Sequence, residues 1–262
     1  MTQQDEPVTI APTATVDPGA SLGTGVSIGH GSVVYAGTVL GAGSEVGEFC
    51  VLGLQGDPEL PPLRIGPGAR IRSHSVCYAG SELGAGLVTG HHVIVRSGTI
   101  AGTGLHLGSY SSLEGELTLG DHVHIHGYVQ VGQGTQVGDF VWLYSLTTVT
   151  NDPLPPSTLF APVTIGAGAV VCVGSTLMPG CRLGVGAFVA AGARVHGEVP
   201  DGRIVNPDGS LGGHVSLLVN LESGLRHPWM SHFADHYPPE AQARLEALRA
   251  QIVAGRSEVR PS

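Results

Sequence analysis

Aliphatic or small residues return at every sixth position over most of the chain. Between Ile65 and Val149 this period holds for fifteen consecutive hexads, and glycine follows many of the repeated positions, as in Leu107–Gly108. A period of six matches neither the 3.6-residue turn of an α-helix nor the two-residue alternation of a simple hairpin meander. It predicts a parallel β-solenoid, in which each hexad is one short strand with its turn and three hexads close one coil.

Two proline-rich segments interrupt the period. Eight hexads run over 10–52 and six over 165–195, which with the central block makes twenty-nine hexads, or about ten coils. The breaks at 53–63 (GLQGDPELPPL) and 150–162 (TNDPLPPSTLFAP) are predicted to be loops that leave the solenoid. A long loop in a compact protein is more often functional than idle, so both loops are candidates for a binding role.

The pattern divides the chain into three parts. Residues 1–7 form a polar N-terminal tail, residues 8–205 an all-β helical domain, and residues 206–262 an extension without the period. Prolines at the start of one segment, an aliphatic stripe within it and Gly255 after its end predict a helix near 238–254. We expect the extension to pack on the solenoid or on a neighbouring subunit, since it is too small to form a core alone.

Composition narrows the possible functions. All twelve basic residues are arginine, so neither a Schiff-base lysine nor a P-loop lysine is available. The formal net charge of −9 argues against a general nucleic-acid surface. The N-terminus lacks the features of a signal peptide, and no apolar run approaches the length of a membrane span. Four widely spaced cysteines are interpreted as buried small hydrophobes, and a cytoplasmic location is predicted.

Residues eighteen positions apart are expected to lie above one another on successive coils, at the spacing of neighbouring strands. On the face centred on Ile71, Thr89, Leu107, Ile125 and Leu143 this places three ladders of aromatic and histidine side chains. They are His74, His92, Tyr110 and Tyr128; His106, His124 and Trp142; and His126 with Tyr144. The second face offers Tyr78, Arg96 and Glu114, and the third is nearly bare, with Glu82, Thr118 and Gln136.

The hexads, of the form [LIV]-G-x-x-[small]-x, resemble those of the hexapeptide-repeat acyltransferases. Segments 89–102 (TGHHVIVRSGTIAG), 111–132 (SSLEGELTLGDHVHIHGYVQVG) and 150–156 (TNDPLPP) are similar to the branch that acetylates amino groups of nucleotide-linked sugars. The resemblance implies a left-handed parallel β-helix, a homotrimer, acetyl-CoA as acyl donor, and an active site in the cleft between subunits. The chain departs from the pattern at 204–209 (IVNPDG), where relatives have a G-N-P-A type turn near the nucleotide end of the donor.

Such a transferase needs an amine or hydroxyl delivered to a thioester carbonyl, and a neutral histidine suits the role of general base. The first candidate is His91, where the similar motif keeps a histidine, followed by His92 and His124. Candidate substrate-binding residues are Tyr110, Glu114, Tyr128, Trp142, Asn151 and Asp152. Candidate cofactor-binding residues are Gly166, Ala167, Gly174, Arg182, Ala187 and Arg194, whose small side chains or positive charges suit the pantetheine arm and phosphates of CoA.

Each assignment has a structural alternative. Aromatic residues are enriched at subunit interfaces, so the aromatic face also fits a contact between subunits. Asn151 and Asp152 precede Pro153 and also suit turn formation. Exposed arginines such as Arg182 and Arg194 are usually only solvated.

Two other functions remain open from the residues. The stretch 28–37 (IGHGSVVYAG) resembles the γ-class carbonic anhydrases, which bind zinc through three histidines. Here Tyr35 stands at the partner position of His30, and Arg96 at that of His91, so no metal is expected. The alternating His122, His124 and His126 also form a poor chelate. The remaining alternative is a non-catalytic scaffold or trimerisation module.

Overall fold

The chain coils into a three-sided parallel β-helix in the computed structural model, which describes residues 7–258. Successive short strands are assigned in turn to three sheets, so that each strand pairs in parallel with the third strand after it. The pairing step is eighteen residues through most of the chain: Val88 pairs with His106, and His106 with His124. Ten complete coils result and an eleventh begins. The predicted all-β solenoid is confirmed.

Sheet 1 contains twelve strands: β1 (Thr9–Ile10), β4 (Ser27–Ile28), β7 (Glu45–Val46), β10 (Arg70–Ile71), β13 (Val88–Thr89), β16 (His106–Leu107), β19 (His124–Ile125), β22 (Trp142–Leu143), β25 (Val170–Val171), β28 (Phe188–Val189), β31 (Arg203–Val205) and the antiparallel β32 (Leu211–His214). Sheet 2 contains ten: β2 (Thr15–Val16), β5 (Val33–Val34), β8 (Val51–Leu54), β11 (Val76–Tyr78), β14 (Ile94–Val95), β17 (Ser112–Leu113), β20 (Gln130–Val131), β23 (Thr148–Val149), β26 (Thr176–Leu177) and β29 (Arg194–Val195). Sheet 3 also contains ten: β3 (Ser21–Leu22), β6 (Val39–Leu40), β9 (Arg64–Ile65), β12 (Glu82–Leu83), β15 (Ile100–Ala101), β18 (Thr118–Leu119), β21 (Gln136–Val137), β24 (Thr164–Ile165), β27 (Arg182–Leu183) and β30 (Glu198–Val199).

The core is a column of side chains inside the prism. The second residue of almost every strand points inward, and from β4 to β30 these residues are almost fully buried, as Leu107 and Val131 are. Buried Ser, Thr or Ala side chains occupy many of the corners, where the hydroxyl of Ser111 donates to the carbonyl oxygen of His126. Cys50, Cys77 and Cys181 are buried within this column, as expected, and Cys172 is half-buried; all four are free thiols.

Both interruptions leave the prism along the same edge. The first follows β8, which continues to Leu54 and so takes up the first two residues of the predicted 53–63 loop. The second occupies residues 150–163, between β23 and β24. Each therefore leaves sheet 2 and returns on sheet 3, and the two lie five coils apart in the strand order of sheet 2.

The C-terminal extension packs against the outer surface of sheet 1. It contains α1 (Met230–Phe233), α2 (Pro239–Ala254) and three single 3₁₀ turns (Val215–Leu217, Ala234–His236 and Gly255–Glu258). Its buried side chains, including Trp229, Tyr237 and Leu245, form a second apolar cluster with Phe140 and Val170 of the solenoid. The aromatic segment 227–237 thus covers the last coils of sheet 1. Neither helix has the length and apolarity needed to cross a membrane.

Arg244 of α2 fastens the extension to the solenoid at the corner between sheets 3 and 1. Its guanidinium donates to Asp121 at 2.8 Å and to Asp139 at 2.6 Å, and lies 5.1 Å from the ring centroid of Phe140. The other carboxylate oxygens of these aspartates accept from backbone N–H groups, of Thr103 for Asp121 and of Asp121 for Asp139. The three side chains therefore link one helix to three successive coils.

Candidate functional site

The two loops frame a groove over sheet 2. The groove has a volume of about 860 Å³ and is lined by Asp57 and Leu60 of the first loop and by Asn151 and Pro155 of the second. Its floor is the outer surface of sheet 2 between them, which includes Glu114. The face that carries the groove is thus not the aromatic face that the sequence suggested as the site, but its neighbour.

The floor of this groove is polar and carries both signs of charge. Glu114 accepts a 2.6 Å hydrogen bond from the hydroxyl of Ser112, and its other oxygen lies 3.5 Å from the guanidinium of Arg96. Gln130 and Gln133 line the same groove, and the phenol ring of Tyr78 lines it three coils away. A groove that offers hydrogen-bond donors and acceptors as well as an aromatic ring suits a molecule with several hydroxyl groups.

Asn151 and Asp152 hold the second loop in shape. The Asn151 side chain donates to the carbonyl oxygen of Gln133, and its backbone carbonyl accepts from Ala161 across the base of the loop. Asp152 accepts hydrogen bonds from the hydroxyl and backbone N–H of Ser157 and from the N–H of Leu154, which hold the pKa of its carboxyl below the usual value. Asp152 therefore has the turn role that the sequence left open, and it borders the groove.

A ladder of stacked rings follows the corner between sheets 1 and 2. His74, His92, Tyr110 and Tyr128 stack with centroid separations of 4.6, 4.9 and 5.0 Å, and Phe49 extends the ladder by one more ring at 5.1 Å. All five residues have φ between +55° and +63°, a conformation that costs an L-residue roughly 1–2 kcal/mol.

Glycine, which avoids this strain, occupies the same corner at Gly31, one coil before Phe49, and at Gly174, whereas Leu146 (φ 65°) occupies it in the coil between Tyr128 and Gly174. Tyr110 and Tyr128 are 52% and 60% exposed. Strained and exposed aromatic residues on successive coils indicate that the ladder serves a purpose other than the stability of the single chain.

His91 lies beside this ladder on the exposed surface. Its Nδ1 is 2.9 Å from the hydroxyl of Ser73, and its backbone N–H donates to the hydroxyl of Ser109. When Nδ1 carries the proton and donates it to Ser73, Nε2 is left as a free acceptor, which is the form that a general base requires. His92, by contrast, is stacked within the ladder between His74 and Tyr110.

His124 and Trp142 lie at the edge of the region that the C-terminal extension covers. Their rings stack at 4.1 Å, and the ring of Tyr237 meets His124 edge-on at 5.9 Å. Burial, with smaller contributions from neighbouring histidines, lowers the pKa of His124 to about 3. The ring is therefore neutral at pH 7 but a poor proton acceptor, which argues against His124 as the general base.

The six candidate cofactor residues do not converge on one surface. Gly166 and Arg182 lie on sheet 3 or at its edge and Arg194 lies on sheet 2, whereas Gly174 occupies the corner between sheets 1 and 2. Ala167 packs against the C-terminal extension. Ala187 does not fit a role in cofactor binding. Its side chain is fully buried inside the coil, and its backbone N–H and carbonyl group are hydrogen-bonded to Gly184 and Val170, so none of these groups can contact a ligand.

No group of three or more histidine, cysteine or carboxylate side chains within residues 7–258 is arranged to hold a metal ion. His30, the first candidate ligand of the zinc alternative, instead hydrogen-bonds through Nδ1 to the hydroxyl of Thr13 at 2.9 Å.

Of the predicted site residues, the structure brings Glu114, Asn151 and Asp152 together at the groove. His91, His92, Tyr110 and Tyr128 share the corner, while His124 and Trp142 lie together further along sheet 1. Gln130 and Ser112 were missed because neither belongs to an aromatic or histidine ladder. The eighteen-residue register was the signal that would have found them, since both are outward residues of sheet 2.

No family model matches the chain. Over 62 residues it is 36% identical to "Putative acetyltransferase YvoF" of Bacillus subtilis (strain 168), a match that covers 24% of this chain and 36% of that protein. The chain thus matches little more than a third of that relative's length. This match confirms the resemblance to acetyltransferases noted in the sequence.

Matches to solved structures have low overall similarity. The UDP-N-acetylglucosamine acyltransferase of Campylobacter jejuni has 14% identity and a TM-score of 0.47, over 91% of this chain and 82% of that chain. PerB of Caulobacter crescentus, solved with CoA and GDP-perosamine, has 17% identity and a TM-score of 0.17, over 80% of this chain and 58% of that chain.

Proposed function

We propose that this hexapeptide-repeat β-helix is an acyl-CoA-dependent acyltransferase whose acceptor binds in the groove over sheet 2. The observation that carries the proposal is the convergence of both non-repeating loops on one polar groove. A solenoid needs no loops for its own stability, since each coil is supported by its neighbours. Two loops placed five coils apart on the same edge are explained by a ligand held between them.

The acceptor is a hydroxylated molecule with an amino group, and a nucleotide-linked amino sugar fits best. Glu114 and the amides of Gln130 and Gln133 offer acceptors and donors for hydroxyl groups, and Tyr78 offers a ring for stacking. Arg96, whose side chain is 57% exposed, is placed to pair with an anionic group such as a phosphate.

The donor is a CoA thioester, with acetyl-CoA as the simplest case. The lone pair of the acceptor nitrogen attacks the thioester carbonyl, the carbon–sulfur bond breaks, and CoA leaves as the thiol after taking up a proton. His91 removes the proton from the attacking amine, because it is exposed and Ser73 holds its Nδ1. A base placed in this way contributes about 10²–10⁴ in rate.

The active form is a homotrimer. His91 on the sheet 1 side of the corner and Glu114 on sheet 2 lie on different faces of one prism, so one chain does not bring them together. In a closed ring of three chains, the part of sheet 1 that the extension leaves uncovered faces sheet 2 of the next subunit, which is a heterologous interface. The corner that carries Tyr110 and Tyr128 then lies nearest the threefold axis, where exposed aromatic rings become buried.

Calorimetric titration of the metal-free protein with acetyl-CoA and with longer acyl-CoA thioesters tests the class of enzyme before the acceptor is known. We expect micromolar binding with one site per chain, followed by release of free thiol when amino sugars are supplied. Absence of binding to every thioester would refute the proposal. Zinc retained on purification would then favour the carbonic anhydrase alternative. A protein that binds neither zinc nor a CoA thioester would favour the scaffold alternative.

A further inference from the structure

An aromatic pocket lies between sheet 1 and the C-terminal extension. It has a volume of about 230 Å³, and its walls include Trp142 and Phe188 of the sheet and Trp229 and Phe233 of the extension. The half-buried thiol of Cys172 forms part of the wall on the sheet side. The sheet and the extension each provide about half of the wall, so the pocket exists only because the extension packs where it does.

The walls of the pocket are largely apolar and aromatic; of its two histidines, His227 and His232, the second is exposed to solvent. None of its lining residues is an aspartate, a glutamate or an arginine. Burial lowers the pKa of His227 to about 4 and raises the pKa of Cys172 to about 11, so both side chains are neutral. A charged group would lose its hydration there without a partner, whereas an apolar group would gain from burial.

The pocket adjoins a second, open groove on the same face. That groove has a volume of about 440 Å³ and is lined by Arg72, Gly108, His106 and His126, and Trp142 belongs to the walls of both. The ring of His126 lies 5.9 Å from that of Trp142. A molecule with a polar part and an apolar end therefore fits along this face, with the apolar end beneath the extension.

We propose that this pocket binds the acyl chain of the CoA donor and that the preferred acyl group is longer than acetyl, with about six to eight carbon atoms. The inference rests on the proposed function for the identity of the donor. A cavity of about 150 Å³ lined by apolar side chains binds benzene, so the pocket has room for more than six carbons. The methyl group of acetyl-CoA would leave most of it empty.

Tryptophan fluorescence reports occupancy of the pocket directly, because Trp142 and Trp229 are the two tryptophans of the chain and both line it. Each buried methylene contributes roughly a factor of four in affinity. We therefore expect hexanoyl- or octanoyl-CoA to bind at least tenfold more tightly than acetyl-CoA and to change the emission, and acetyl-CoA to change it little. Equal affinities for acetyl- and octanoyl-CoA would overturn the proposal while leaving the transferase assignment intact.

Cys172→Phe tests the location, since a phenyl group at this position fills the pocket. The variant should lose the preference for long chains and keep its affinity for acetyl-CoA. Val173→Phe is the matched control, because the adjacent Val173 is 46% exposed and lies outside the pocket. Thermal melting checks that both variants fold.

Retained preference in a folded Cys172→Phe protein would overturn the pocket assignment. A protein that binds no CoA thioester at all would instead refute the proposed function, together with this inference. A titration with free octanoate, followed by the same tryptophan fluorescence, distinguishes failure of the pocket assignment from failure of the proposed function, because octanoate needs no CoA site to bind in the pocket.

Discussion

Trp142 lies flat against His124, with ring centroids 4.1 Å apart and ring planes 8° from parallel. The contact removes His124 from water on one side, while Tyr237 of the C-terminal extension meets it edge-on. A histidine placed in this way supports the junction between the solenoid and the extension. The ring of His124 therefore behaves as a neutral, largely buried aromatic group.

Stability should decrease as the pH falls from 7 to 5. The pKa of His124 is lowered to about 3, so the unfolded chain takes up a proton below pH 6.5 that the folded chain does not bind. Unfolded protein is therefore favoured as pH falls, by at most about 1.4 kcal/mol per pH unit for this histidine. Melting temperatures measured between pH 7 and 5 should show the decrease. His124→Phe keeps the stacked ring but cannot titrate, and its melting temperature should vary less with pH; parallel curves would contradict the assignment.

His91→Ala should lower kcat by at least 10²-fold and leave the affinity for the acyl-CoA donor nearly unchanged. The reason is that His91 is exposed and its Nδ1 is held by Ser73, which suits the ring to accept a proton at Nε2. Ser73→Ala should lower kcat by a smaller factor, because the ring stays in place without its partner. Steady-state kinetics and calorimetry measure the two quantities. Undiminished kcat in His91→Ala would assign the proton transfer to another group.

Glu114→Gln should raise KM for the acceptor about tenfold or more. The carboxylate of Glu114 lines the groove, where Ser112 and Arg96 position it, and a hydrogen bond to a charged group contributes about 1.5–3 kcal/mol. The donor affinity should stay the same, which separates this effect from a general loss of fold. Glu82→Gln is the control, since Glu82 is an exposed outward residue of sheet 3. If both variants behave alike, the groove is not the acceptor site.

Tyr110→Arg should dissociate the proposed trimer. Tyr110 is stacked between His92 and Tyr128 on the exposed corner, and three copies of an added positive charge near one axis would repel each other. Native mass spectrometry should give three times the chain mass for the original protein and the single-chain mass for the variant. Thr118→Arg on sheet 3 should leave the assembly unchanged. If the original protein is monomeric, the ladder does not form a contact between subunits.

Arg244→Met should loosen the C-terminal extension and leave the solenoid folded. The variant removes both ion pairs, to Asp121 and Asp139, and keeps much of the aliphatic volume. Because Arg244 is 45% exposed, the loss of stability should be modest, about 1 kcal/mol. Faster trypsin cleavage after Arg226, or faster hydrogen exchange over residues 227–254, measures the effect. Arg244→Lys keeps the positive charge but lacks the two-pronged guanidinium group. Its stability should therefore lie between that of the original protein and that of Arg244→Met.

The period of six determined the architecture without help from tertiary contacts. A β-helix is stabilised between neighbouring coils, so its register is a local property of the sequence, and the eighteen-residue step placed His106, His124 and Trp142 in one ladder correctly. The signals for the helix near 238–254 are also local in the sequence, because prolines and Gly255 bound it. The structure has this helix at Pro239–Ala254.

The tertiary structure alone decided which face carries the groove and what the extension covers. Where a loop folds after it leaves the repeat depends on contacts with residues distant in the sequence, and no period predicts them. Trp229, for example, donates to the carbonyl oxygen of Gly168, sixty-one residues earlier. For the same reason the sequence offered His124 as a candidate general base. Its burial under Tyr237 arises from the packing of a segment that contributes nothing to the repeat.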